Sequence, residues 1–111
     1  MVHYDGDITM VDLAEIQKRI VKNKVAKGFN TSNIDKEFCL TYGELAEAYE
    51  KYSKSKPVEE LGEELIDVMI YLLGILELKG LNAEEILNRK LDINEQRVYV
   101  GKPGHKVRVE Q

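Results

Sequence analysis

Two acidic pairs, Glu44-Leu45-Ala46-Glu47 and Glu64-Leu65-Ile66-Asp67, stand in helix-patterned segments on either side of Lys54-Ser55-Lys56-Pro57. A spacing of three puts both members of a pair on one helical face. If the segments fold back as a hairpin turning at Ser55 and Lys56, Glu44 comes level with Asp67 and Glu47 with Glu64. Four carboxylates then face one another, and such a cluster is costly to bury unless something neutralises it. A hard divalent cation with oxygen ligands does so, and Mg2+ held by carboxylates beside substrate phosphates is the usual arrangement. The flat alternative is that these acids are the wet faces of amphipathic helices. Asp67 argues against it, because Leu65, Ile66, Val68, Met69 and Ile70 surround it and an Asp there carries a desolvation cost without obvious benefit.

Start and stop signals divide the chain into four helical segments. The first runs from about Met10 to Lys27, with Thr9 and Asp12 as a capping start, an incomplete stripe of Val11, Ile16, Ile20 and Val21, and Gly28 as the stop. The second, roughly Ile34 to Ser53, is capped by Ser32 or Asn33 and takes its apolar surface from Phe38, Leu45, Ala48, Tyr49 and Tyr52. Pro57 suits the first position of the third helix, and Glu59 and Glu60 follow near the positive end of its dipole. That helix extends to about Lys79 and Gly80. Asn82 with Glu85 then offers a capping box for a fourth, from Ala83 to about Tyr99. The expected architecture is an all-α four-helix bundle over residues 1–99, with residues 100–111 as a tail or short extended arm.

Between Leu65 and Leu78 only Asp67, Gly74 and Glu77 are not apolar, so the third helix is hydrophobic nearly all round. One four-helix chain rarely covers such a helix, and a subunit interface along it, in a homodimer or homotetramer, is the expectation. The same stretch is too short and too interrupted to span a bilayer, and the first seven residues carry no basic and apolar signal, so the expected location is cytoplasmic. A balance of 20 acidic to 16 basic residues, net -4, argues against a nucleic-acid polymer as partner but leaves a free nucleotide open. The lone Cys39 reads as a small buried hydrophobe.

At Gly43-Glu44-Leu45-Ala46-Glu47-Ala48, at Glu63-Glu64-Leu65-Ile66-Asp67-Val68 and at the following Tyr71-Leu72-Leu73, the chain resembles the MazG-like nucleotide pyrophosphohydrolases, an all-α family that includes dCTP and dUTP pyrophosphohydrolases. The likeness runs from Leu13 to about Tyr99. It takes in Lys27-Gly28-Phe29, like the end of the family's first helix, and Lys90-Leu91-Asp92-Ile93-Asn94-Glu95-Gln96-Arg97, like its late basic helix. The resemblance implies hydrolysis of a nucleoside triphosphate to the monophosphate and pyrophosphate, with Mg2+, or Mn2+ in its place, held by carboxylates of two adjacent helices. Glu44, Glu47, Glu64 and Asp67 are then the metal ligands. Glu47, Glu64 and Asp67 form the catalytic set, and Glu47 orients or deprotonates water if it is not itself a ligand. Lys90, Asn94 and Arg97, at i, i+4 and i+7, become phosphate and sugar contacts, and Phe29 a surface for base stacking. Without the resemblance, basic residues near a helix C-terminus need no ligand, and an aromatic just after a helix more often seals a core.

The chain departs from the family pattern at Thr41, where the first acidic pair would have a glutamate. Three readings follow: Glu47 serves instead, the shell is reduced to Glu44, Glu64 and Asp67 with water, or turnover is lost and a noncatalytic nucleotide- or metal-binding regulatory protein remains. Glu37, one turn before Thr41, is a weaker substitute. His3 and His105 both fall outside the helical segments, which argues against a histidine base and a di-iron carboxylate centre.

Overall fold

The computed structural model describes residues 10–109. These residues contain four helices, α1 (Leu13–Ala26), α2 (Ile34–Ser53), α3 (Val58–Leu78) and α4 (Ala83–Gln96), and a hairpin of β1 (Val98–Val100) and β2 (Val107–Val109). The all-α bundle expected from the sequence is present. Among the described residues no helix is long and apolar enough to cross a membrane.

The caps explain where each helix begins. Asn33 accepts from the Lys36 amide and Asn82 from the Glu85 amide, each at 3.1 Å. For α1 the cap is Asp12, which accepts from the Glu15 amide at 3.1 Å, so the helix starts later than Met10. Thr9 lies outside the described residues. Three helices stop by the same device: the Phe29, Lys56 and Leu81 amides reach back to the Lys24, Lys51 and Leu76 carbonyls at 2.8, 3.0 and 2.9 Å. The residue before each has a positive φ, 71° at Gly28, 51° at Ser55 and 70° at Gly80.

The α2–α3 hairpin turns through Lys54 and Ser55, as the mirrored acids require, and these helices pack more extensively on each other than any other pair. Helix α1 lies against α3, where a Cβ on Gly74 would come within 3.4 Å of Ile20 Cγ2. Gln17, almost fully buried, secures the far end: its amide donates to the Leu81 carbonyl and its oxygen accepts from the Ala83 amide, both at 2.8 Å. Buried polar atoms need partners, and Gln17 has both. Beyond Ala83, α4 runs out along the surface and makes no contact with α2.

Helix α4 ends at Gln96, short of the expected Tyr99, because Val98-Tyr99-Val100 pairs antiparallel with Val107-Arg108-Val109. Alternating β-branched and aromatic residues favour that extended form. The turn demands glycine at 101, where φ is +121° and a Cβ would sit 2.6 Å from the His105 carbonyl oxygen.

Little of the apolar surface is covered. Among the described residues the buried apolar side chains are Ala48, Leu73, Ile75 and Ala83. The radius of gyration, 17.6 Å, exceeds the about 13 Å expected of a compact domain this long. Phe38, Leu45, Tyr49 and Tyr52, the apolar surface of α2, are exposed, and α2 instead buries Glu37, Thr41 and Ala48. Cys39 is exposed as well, contrary to its sequence pattern, since it lies on an outward side of α2 that no described residue covers.

Candidate functional site

The hairpin brings Glu44, Glu47 and Glu64 together, each offering a carboxylate oxygen within 4.8 Å of the others. Glu44 and Glu64 are half-buried and Glu47 is exposed. Two features separate this triple from an ordinary charged surface. Burial, followed by the charges of Glu47, Asp67 and Glu64 and a hydrogen bond with Glu47, raises the Glu44 pKa from its ordinary value. In addition, Glu64 Oε2 is shut off from solvent with no hydrogen-bond partner among the described residues. An all-oxygen donor set with an orphaned carboxylate oxygen fits a hard divalent cation.

Asp67 flanks the triple. Its charge acts on both Glu44 and Tyr71, yet it is exposed, because its apolar neighbours Leu65, Ile66, Met69 and Ile70 are exposed too. The desolvation expected from its sequence context therefore does not arise within one chain. Glu60, one turn before Glu64, is engaged by Lys51 at 3.1 Å, and Glu50 by Lys54 at 2.6 Å.

Thr41 is buried one turn before Glu44, and its hydroxyl donates to the Glu37 carbonyl at 2.7 Å. Glu37 is turned away from the triple and neutralised. Lys24 of α1 forms an ion pair with it, and the Asn30 amide donates to its second oxygen at 3.0 Å. Burial alone would raise the Glu37 pKa, but the Asn30 and Lys24 hydrogen bonds and the Lys24 and Lys36 charges outweigh burial and lower it. Tyr71 stands between the two acid groups. Lys24 Nζ lies 5.4 Å from its ring centroid. Burial and then the charges of Glu44, Glu37, Asp67 and Glu47 raise its hydroxyl pKa.

Lys90, Asn94 and Arg97 are not brought to the triple. Lys90 and Asn94 sit on the outer part of α4 and Arg97 just past its end, where it donates to Asn94 Oδ1 at 3.0 Å. Phe29 is 56% exposed just beyond α1 and lines a groove between α1 and α3 that also includes Lys24 and Tyr71. Lys24 and Tyr71 are the residues that sequence reasoning did not assign. Tyr71 had a signal, falling four residues after Asp67 and seven after Glu64 on one face of α3, whereas the partnership of Lys24 with Glu37 is set only by packing. Comparison of the chain with family models, with curated proteins and with solved structures gives no match.

Proposed function

We propose that this chain is a Mg2+-dependent nucleoside triphosphate pyrophosphohydrolase of the MazG-like kind, converting an NTP or dNTP and water to the monophosphate and pyrophosphate in the cytoplasm. The observation that carries the reading is the convergence of three glutamates from two helices on a point where the Glu44 pKa is raised and Glu64 Oε2 lacks a partner among the described residues. Mg2+, or Mn2+, held by Glu44 and Glu64 with Glu47 and Asp67 beside them would supply positive charge against the triphosphate and make water more acidic. Glu47, exposed at the rim, would orient that water or take its proton. Attack at phosphorus breaks the bond to the leaving pyrophosphate, and the proton passes to the base.

Self-association belongs to the same proposal. Phe38, Tyr42, Leu45, Tyr49 and Tyr52 recur at intervals of four and three along α2, and all are exposed. Leu72, Met69, Leu65, Gly62 and Val58 of α3, each level with one of them or one residue off, are exposed too. This double seam has the spacing of helices that pack as a bundle, and a second copy offers the same seam.

The test is a screen of common NTPs and dNTPs for pyrophosphate release with Mg2+ and with Mn2+, repeated with Glu64→Gln and Asp67→Asn. Losing a charged oxygen ligand should lower turnover by about a hundredfold. Parental rates in both amide variants would remove the assigned site. Nucleotide binding without turnover would favour the regulatory reading that Thr41 leaves open.

A further inference from the structure

We propose that the groove between α1 and α3 binds a free acyl anion, a single aliphatic chain ending in a carboxylate, at a site separate from the acidic triple. The groove holds about 840 Å3, within the range of small-molecule sites. Ile16 and Ile20 of α1 line it together with Ile70 and Gly74 of α3, each pair four residues apart on one side of its helix. Gly74 keeps the floor low, since a Cβ there would already come within 3.4 Å of Ile20 Cγ2. Ile70 is 39% exposed, and an aliphatic chain laid against it removes apolar surface from water.

Charge specifies the head group. Arg19, Lys22 and Lys24 border the groove without any acidic residue, in a protein of net charge -4. Lys24 is committed to Glu37, whereas Arg19 and Lys22 make no ion pair among the described residues. These two stand three residues apart, about one helical turn, so one carboxylate can meet both, with Arg19 as a two-pronged donor and Lys22 as a point charge. A neutral chain would leave both cations unpaired, and a lone phosphate would leave the aliphatic floor in water.

Helix geometry keeps this carboxylate apart from the acids of α2 and α3. None of Glu44, Glu47, Glu64 and Asp67 lines the groove. Lys24, which reaches Glu37 of α2, lies about 140° round α1 from Arg19 and about 160° from Lys22. The two unpaired cations therefore leave from the other flank of α1. From Arg19 to Ala26 the helix rises about 10 Å, and Phe29, 56% exposed, stands just beyond Ala26 to cover the end of a chain of that length.

Backbone resonances of the isotope-labelled full chain can be followed while octanoate, decanoate and dodecanoate are added below their micelle concentrations, with decanol as the uncharged comparison. The acids should move the amides of Ile20, Phe29, Ile70 and Gly74, with affinity rising about two- to fourfold for each added methylene. Decanol should bind about tenfold or more weakly than decanoate, the order of a charged hydrogen bond. Arg19→Gln combined with Lys22→Gln should abolish that difference while leaving decanol affinity unchanged. Ala26→Trp, at an exposed position on the groove lip, should weaken acid and alcohol alike. Equal affinity for decanoate and decanol, or shifts centred on Leu45 and Met69 instead of the groove, would overturn the proposal and show a chain coating exposed apolar surface. Sedimentation with phosphatidylglycerol vesicles without any binding of free decanoate would overturn it in favour of a membrane contact. Ala26→Trp that changes the mass in solution but not decanoate affinity would overturn it in favour of a subunit contact.

Discussion

Glu44 and Glu37 lie two turns apart on one face of α2 and respond to pH with opposite sign. The raised Glu44 pKa means that the folded chain holds its proton more tightly than the unfolded one. Its contribution therefore worsens as pH rises from the ordinary value of 4.5 and is fully unfavourable above the folded value. Glu44→Gln should then raise the melting temperature at pH 7 in chelator-containing buffer and give no gain below about pH 4. Mg2+ should stabilise the parent more than this variant, because binding to the folded state is what shifts the melt. Equal Mg2+ shifts in the two proteins would remove Glu44 from the metal shell. The lowered pKa of Glu37 works the other way: its stabilisation is present above 4.5 and is lost as pH falls through the folded value. Lys24→Met leaves a buried carboxylate with Asn30 alone and should cost about 3–5 kcal/mol in urea unfolding at pH 7. Adding Glu37→Gln should recover much of that loss, since the penalty comes from the uncompensated charge rather than the missing pair.

The helix ends show which local rules hold and which give way. Of the three matching stops, two place glycine in the left-handed region and α2 places Ser55 there, at a φ of 51°. A side chain costs about 1–2 kcal/mol in that conformation, partly offset by the greater unfolded freedom of glycine. Ser55→Gly should thus stabilise the hairpin by up to about 1 kcal/mol, seen as a higher melting temperature with no change in metal affinity. The hairpin and its register could be read from the sequence because caps, stops and mirrored acids are local or share one turn. The α4 boundary could not, because Val98 to Val100 is extended only through pairing with Val107 to Val109. The same distinction governs the site. Glu44, Glu47 and Glu64 declare themselves by spacing, whereas Lys24 meets Glu37 and Tyr71 only when α1 docks. Cys39 and the α2 aromatics misled for a related reason: an apolar stripe shows that something must cover it, not that the same chain does.

At the scale of the whole molecule, four buried apolar residues among those described are too few to offset the ordering of about a hundred residues. The seam formed by α2 and α3 is the surface whose covering would close that gap. The protein at micromolar concentration should therefore show at least twice the 12.7 kDa of one chain by light scattering, with a melting temperature that rises with concentration. Leu45→Glu combined with Met69→Glu separates the alternatives. Both side chains are nearly half exposed or more in a single chain, at 50% and 45%, so a stable monomer should tolerate the pair with a loss of no more than about 1 kcal/mol. In a bundle of two hairpins the added carboxylates would be buried without partners and should drive dissociation, accompanied by a large fall in melting temperature. A parent of single-chain mass, with a double variant melting at the parental temperature, would show that the seam is a solvent-facing surface.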